Sequence, residues 1–565
     1  MSGPIQAGLA LLVSASAAAA ALSYQASPQR FAAERSAPAC APGSVTSLRI
    51  AATTDVHGHI RGWDYYDGRT DPARGLTRAA TIVDSLRSAN PGRVVLVDAG
   101  DILQGTPLAY AAARVITARK SPIIAAMNAM QYDAAAVGNH EFNYGVPYLD
   151  SAARQARFPL LAANVTRGAR EHEFPAYTIV DRAGIRVGIV GATTPGSDLW
   201  DASNLAAARI HVDAIVPSVR TAVRAVRAAG ADVVVVLLHS GLNEPSSYDT
   251  VSTGVASENV AARVAAEVPG IDVIVYGHSH KQNAGQMIGR TLLVQPRNWA
   301  TSVAVVAVPL RCSAQQRWSA LAAAATLVEA AGHAEQPAVV RVVSAAHRAT
   351  LSYVGSAIGS TPDTWRSDSA RMVPTALTGF IMDVERRAAN AELASTPAFD
   401  LAARMGPGPI TVAQLARLYP YDNTLRAVRI TGAELREYLE HSNAYYQTNP
   451  MGKLVPDTSI AGYNFDVVSG VDYTVDVSRP VGSRIVALTY KGKPVVATDS
   501  FTLALNNYRQ TGGGGYAMLR KAPVVYDRQQ DIRQLLIDEV RRKRVLHKSD
   551  YQLRNWSFVT PAAPR

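Results

Sequence analysis

Val94-Val95-Leu96-Val97-Asp98-Ala99-Gly100-Asp101 reads as a buried strand that runs, through a glycine turn, onto a carboxylate. Four other apolar runs end in the same manner. One stops at Asp55-Val56-His57, another at Gly138-Asn139-His140-Glu141. Val233-Val234-Val235-Val236-Leu237-Leu238 stops at His239-Ser240, and Val273-Ile274-Val275-Tyr276 at Gly277-His278-Ser279-His280. Runs that are apolar throughout indicate parallel strands covered on both faces. Helical stretches alternate with them, at Leu76–Ser88, Pro122–Met130, Val146–Arg157 and Pro217–Ala229. The expectation over 45–312 is therefore a layered α/β domain, with the strand ends converging on one edge.

The chain has 565 residues, which exceeds one ordinary core and predicts two domains. It is 48% hydrophobic and 18% charged, which is globular and not disordered. The net charge of +11 favours anionic ligands. The arginines are dispersed and form no basic block interleaved with aromatics, so a nucleic-acid polymer is not expected as partner. Residues 1–26 hold an apolar, Ala-rich run without a basic start, and read as a secretory signal of atypical flank. Export to a periplasm or beyond, without stable membrane insertion, is the expectation. Residues 27–44 read as a Pro/Ala/Ser linker. Only Cys40 and Cys312 exist, which excludes a cysteine-based metal cluster. Spacing leaves both a disulfide and two free thiols open.

Residues 313–360 are expected to form a helical linker, and 361–525 an α+β domain. Its helices are read at Met372–Arg387, Val412–Leu418 and Gly432–Ser442. Its strands are read at Asp472–Val477, Arg484–Leu488 and Phe501–Leu505. A charged helix at Gln529–Arg544 lies in the tail 526–565 and is expected to dock on this domain. A monomer is expected.

Asp, Asn and His at successive strand ends offer a mixed oxygen and nitrogen donor set that suits Zn²⁺, Mn²⁺, Co²⁺ or Fe at a two-metal hydrolytic centre. A carboxylate such as Asp101 has two oxygens and can bridge two cations. Other polar residues in these stretches carry plainer readings. Asp98 is a strand-end residue, Glu141 a hydrogen-bonding support, His172 and His211 surface positions, and His59 has no assigned role.

The order of these motifs resembles the calcineurin-like metallophosphoesterases. The resemblance implies that Asp55, His57, Asp101 and His280 hold one metal, and that Asp101, Asn139, His239 and His278 hold the other. It also implies attack on phosphorus by a metal-bound hydroxide, with His140 as the catalytic imidazole. The whole chain is similar to the secreted 5'-nucleotidase superfamily. The match rests on Tyr419-Pro420-Tyr421-Asp422-Asn423-Thr424-Leu425, Gly462-Tyr463-Asn464-Phe465-Asp466, and Asn506-Asn507-Tyr508-Arg509 before Gly512–Gly515. Within it, Asn139-His140-Glu141-Phe142-Asn143-Tyr144-Gly145 and Asp64-Tyr65-Tyr66 look like the 2',3'-cyclic-nucleotide 2'-phosphodiesterase/3'-nucleotidases. Asn143 stands where the typical 5'-nucleotidase has Asp, and joins His140 as a catalytic candidate. The stretch Ala402–Gly408 departs from the 5'-nucleotidase pattern, which is the alternative reading. The resemblance implies that Tyr463 and Tyr508 sandwich the base, and makes Arg509, Gly512, Gly513, Arg404 and Asn423 expected substrate contacts.

Overall fold

The computed structural model describes residues 40–116, 120–168, 171–449 and 453–559. The signal-like segment 1–26 and the linker up to residue 39 lie outside the described residues. Two sheets build the first domain. One runs Trp318–Ala320, Ser302–Cys312, Val45–Thr53, Val94–Asp98, Ala134–Ala136, Leu160–Leu161, with Ala324–Glu329 also paired to Ser302–Cys312. The other runs Asn283–Ile288, Thr291–Gln295, Val273–Tyr276, Val233–His239, Ile185–Thr193, Tyr177–Arg182. The strands that carry the motifs are parallel to their motif-bearing neighbours, as expected.

Alternation along each strand explains the layers, because successive side chains point to opposite faces. Ile50, Val95, Val97, Val187, Val233, Val235 and Val275 pack into one core between the two sheets. Ala51, Val94 and Leu96 face outward, against helices Leu76–Ala89 and Pro122–Met130. Val234, Val236 and Leu238 face outward on the other side, against helix Ile215–Ala228 and helix Ala261–Glu267. The result is a β-sandwich flanked by helices. Cys40 and Cys312 are joined in a disulfide that ties the start of the described chain to the end of strand Ser302–Cys312. No helix among the described residues is long and apolar enough to cross a membrane.

The expected helical linker is corrected in its first half. Residues Trp318–Ala320 and Ala324–Glu329 are strands that extend the first sheet. Their alanines favour a helix locally, but the register of Ala324–Glu329 against Ser302–Ala307 offers backbone partners that override that preference. Helix Pro337–Val354 follows and packs Val339 and Val343 into the first domain's core.

The second domain is α+β. Its five-stranded sheet runs Asp466–Ser469, Leu393–Pro397, Ser500–Asn506, Thr424–Thr431, Val524–Asp531. Helices Ala376–Ala389, Gly432–Ser442 and Ile532–Lys543 share one core with it. Thr431 and Glu434 form a reciprocal capping box, which fixes where Gly432–Ser442 begins. The two domains meet at Asp422. Its carboxylate accepts hydrogen bonds from Gln104 Nε2 at 2.8 Å and Tyr144 OH at 2.7 Å, and pairs with Arg533 at 2.7 Å.

Candidate functional site

Every motif named from the strand ends arrives at one place. Two donor groups gather there, Asp55 with His57 and His280, and Asp101 with His239 and His278. Within each group the donor atoms lie within 4.8 Å of one another. Asn139 joins the second group, its Oδ1 3.1 Å from His239 Nε2. Asp101 lies between the groups, its Oδ2 3.0 Å from His239 Nε2 and 3.7 Å from His57 Nε2.

The backbone is bent to make this possible. Asp55, His57, Asp101, His278 and His280 all have positive φ, between 48° and 72°. Residues with side chains rarely adopt this region, and each instance costs on the order of 1–3 kcal/mol. Five instances within one site indicate strain held for function by the surrounding sheets. Two glycines let the loops close. A Cβ on Gly138 would strike the Asp101 carboxylate, and one on Gly277 would strike Thr54 and Asp55.

Neighbours fix each donor's direction. His57 Nδ1 lies 2.9 Å from the Gln104 carbonyl, and His239 Nδ1 lies 2.9 Å from the Ala99 carbonyl. A carbonyl only accepts, so both rings carry the proton on Nδ1 and turn the Nε2 lone pair inward. His278 Nε2 faces Glu258 at 2.7 Å, and Trp200 stacks on its ring at 5.7 Å. Asn298 Nδ2 is 3.4 Å from His280 Nδ1. Glu141 is fully buried and accepts from the backbone N–H groups of Asp101, Ile102, Leu103 and Gly138. It thus splices two motif loops together, the support role read from its position. Asp98 accepts from Thr53 and Gly100 at its strand end.

The donor set fits divalent cations. Carboxylates, an amide oxygen and imidazoles converge, and among the described residues no lysine or arginine hydrogen-bonds to Asp55 or Asp101. Electrostatics point the same way. Burial lowers the His57 pKa to about 4, which keeps its lone pair available. Burial opposes charge on His239 too, but the Asp101 carboxylate outweighs it and raises the pKa to about 10. Asp101 therefore draws a positive charge to this spot, which a cation supplies in place of the proton.

His140 opens a short 3₁₀ turn, His140–Phe142, and turns Nε2 toward Asp101 Oδ2 at 4.0 Å. Its Nδ1 lies 2.6 Å from Asn143 Oδ1. Burial lowers the His140 pKa, but Asp101, the Asn143 bond and Asp201 outweigh it and raise the value. His59 is in neither donor group and lies tilted against the Trp299 ring, centroids 4.8 Å apart. His172 and His211 are exposed, as read.

In the second domain, Tyr463 is 42% exposed on a 3₁₀ turn, and Tyr508 is half-buried on the one-turn helix Asn507–Gln510 that follows strand Ser500–Asn506. A third ring, Tyr421, lies 6.5 Å from Tyr463 and 5.0 Å from Phe399. Gly513 has the Tyr508 ring lying across it, so that a Cβ there would meet the ring at 2.6 Å. Gly512 turns the chain at φ 89° beside Arg520. Asn423 is half-buried and its carbonyl accepts from Ile532 N–H. Arg404 is exposed on a short strand opposite Arg366, and no described contact joins it to either tyrosine.

Arg509 is corrected. It is 1% exposed and its donors are engaged within the domain. They reach both oxygens of Asp466, Asn464 Oδ1, and the carbonyls of Gly513 and Tyr463. A guanidinium has five N–H groups, so none remains for a substrate. Arg509 holds the Tyr463 backbone against the glycine turn instead. Asp201, Glu258, Asn298, Gln104 and Asp422 were not legible as site residues, because each acts through a partner distant in sequence.

Fold and site together define a two-domain metallophosphoesterase. Residues 48–282 match the calcineurin-like phosphoesterase family, and 357–521 match the 5'-nucleotidase C-terminal domain. The chain is 31% identical to a 2',3'-cyclic-nucleotide 2'-phosphodiesterase/3'-nucleotidase of Haemophilus influenzae, over 91% of this chain and 88% of that protein. It is also 31% identical to the trifunctional nucleotide phosphoesterase YfkN of Bacillus subtilis, over 91% of this chain, but spans only 39% of that longer protein. The fold superposes on a Staphylococcus aureus protein solved with alpha-ketoglutarate, with a TM-score of 0.76 and 25% identity. That alignment covers 91% of this chain and all of the other. The chain belongs to the 2',3'-cyclic-nucleotide 2'-phosphodiesterase/3'-nucleotidase family.

Proposed function

We propose that this protein hydrolyses nucleotide phosphoesters, opening 2',3'-cyclic nucleotides and removing the phosphate from 3'-nucleotides. The observation that carries the reading is the meeting of both donor groups at Asp101, with His140 Nε2 4.0 Å from its carboxylate. Asp55, His57, Asp101 and His280 are the residues that would hold one divalent ion, and Asp101, Asn139, His239 and His278 the other. Such ions, when bound, neutralise phosphoryl oxygens and make water a nucleophile near neutral pH.

The chain's own residues do the rest. Buried Glu141 keeps the Asp101 and Gly138 loops in register, so that the donors are preorganised. His140, bonded to Asn143 through Nδ1, presents Nε2 to the leaving oxygen as proton donor. Tyr463 and Tyr508 take the base by stacking, which tolerates any base because each has a π-face. Arg509 sets their spacing from beneath. The Cys40–Cys312 disulfide supports an oxidising compartment such as a periplasm, where the enzyme would feed nucleoside salvage.

The test is a parallel assay of the purified protein, with added Mn²⁺ or Co²⁺, on 2',3'-cyclic AMP, 3'-AMP and 5'-AMP. The first two should be turned over and 5'-AMP poorly. Preference for 5'-AMP would move the protein to the 5'-nucleotidase reading, and no metal-dependent phosphate release would remove both.

A further inference from the structure

Behind His140 stands a chain of hydrogen bonds that ends on a carboxylate. His140 Nδ1 lies 2.6 Å from Asn143 Oδ1. Asn143 Nδ2 lies 3.1 and 2.9 Å from the two oxygens of Asp201. Asp201 is 8% exposed and sits between the short helices Ser197–Trp200 and Ala202–Ala208. Asn204 Nδ2 donates to its Oδ1 at 3.4 Å, and also to the Phe142 carbonyl at 3.0 Å, which ties this element to the His140 turn. Among the described residues, no lysine or arginine lies within 4.0 Å of the Asp201 carboxylate. Among the described residues, its side chain accepts hydrogen bonds from the amides of Asn143 and Asn204.

The polarity of this chain follows from donor chemistry. An ionised carboxylate only accepts hydrogen bonds, so the Asn143 atom facing it is the NH₂ group. The Asn143 oxygen therefore faces His140, and only a proton on Nδ1 can complete that bond. Nε2, aimed at the donor cluster, is then the nitrogen that exchanges a proton with substrate. Asn143 could not enforce this alone. Its oxygen and nitrogen are nearly equal in shape, and a flipped amide would donate to Nδ1 and place the imidazole proton on Nε2 instead. The carboxylate removes that freedom.

We propose that Asp201 is a positioning residue for catalysis, acting through Asn143 to lock the tautomer and orientation of His140. This rests on the reading of His140 as proton donor, and extends it to a residue 58 positions away from Asn143 in sequence. It also explains how Asn can stand where a 5'-nucleotidase has Asp: the negative charge has moved one link back.

Four proteins test it: wild type, His140→Gln, Asp201→Ala, and the exchange Asn143→Asp/Asp201→Asn. Each is assayed with Mn²⁺ on 3'-AMP and on bis-p-nitrophenyl phosphate. An alkoxide needs a proton to leave, whereas p-nitrophenolate leaves without one. Asp201→Ala should lower kcat for 3'-AMP by about 10–100-fold, with KM and metal content little changed. It should lower kcat for the nitrophenyl ester much less. A merely structural role would lower both together. The exchange restores a carboxylate acceptor at His140 and an amide behind it, and should recover 3'-AMP turnover to within about threefold of wild type. In metal-free protein at a pH above the His140 pKa, ¹⁵N-histidine NMR should give the Nδ1–H form for wild-type His140 and a mixture of tautomers in Asp201→Ala. Equal loss on both substrates, unchanged kcat, or an exchange no better than Asp201→Ala would overturn the proposal. If His140→Gln itself keeps full 3'-AMP turnover, the reading of His140 has failed, which is a different result from a silent Asp201→Ala beside an inactive His140→Gln.

Discussion

The two halves of the site are built by opposite means. In the first domain the candidate metal donors sit at strand ends, on backbone forced into the left-handed region at five positions. In the second domain the candidate base clamp sits on two short helical turns with ordinary side-chain exposure, held by one buried ion pair, Arg509–Asp466 at 2.8 Å. Positions that must converge lone pairs use a rigid sheet and accept strain. A surface that must take a flat, variable ring needs only the correct spacing, and a buried guanidinium with five donors sets it.

Substitutions can break this comparison. Asp101→Asn should remove turnover of 2',3'-cyclic AMP by at least about a thousandfold, because an amide bridges two cations poorly. Its melting temperature without metal should stay near wild type, so a loss of fold alongside activity would contradict the assignment. Arg509→Met leaves Asp466 buried and unpaired, and should cost ~3–5 kcal/mol in denaturant unfolding. Arg509→Lys should recover little of that, since an ammonium cannot replace the planar fork. Unaltered stability in either variant would mean that the clamp has another support.

Tyr463→Ala with Tyr508→Ala should reduce kcat/KM for nucleotides by roughly 2–5 kcal/mol, and leave bis-p-nitrophenyl phosphate nearly untouched. An equal fall for both substrates would assign these rings to the fold. The smallest effect concerns Glu335, just before helix Pro337–Val354, where it meets Arg61 and Thr77 of the first domain. Burial raises the Glu335 pKa, but hydrogen bonds from Arg61, Thr77 and Gly62 outweigh it and hold the value at about 2. A depressed carboxylate pKa stabilises the fold above its unfolded value, near 4.3, and that contribution is lost as pH falls through about 2. Metal-free Glu335→Gln should therefore lose less stability than wild type over that range. Parallel curves would dismiss the contribution.

Much of the first domain was legible because its signals are local. Each apolar run, such as Val233–Leu238, carries its own strand and delivers its own donor, so a reader of the chain meets ligand after ligand in order. Helices Val412–Leu418 and Gly432–Ser442 have the bounds read from the sequence, and the structure shows Thr411 and Thr431 capping them. Asp201, Glu258 and Asn298 gave no such signal. Glu258 and Asn298 meet an imidazole, and Asp201 the Asn143 amide, by hydrogen bonds across 18 or more residues, and nothing near them in sequence marks the partner. Arg509 misled for the converse reason. Beside a tyrosine and four glycines it looks like a ligand contact, and only the fold brings Asp466 beneath it. Ala324–Glu329 misled because its alanines say helix while its partner strand says otherwise.

Gln104 joins these stories. Its carbonyl orients His57, and its side-chain amide is bonded to Asp422 of the other domain. One residue thus grips an imidazole of the candidate metal site with its main chain and the neighbouring domain with its side chain. Linkage makes such a grip reciprocal: whatever free energy docking of the second domain lends to the pose of His57, a filled site returns in equal measure to docking.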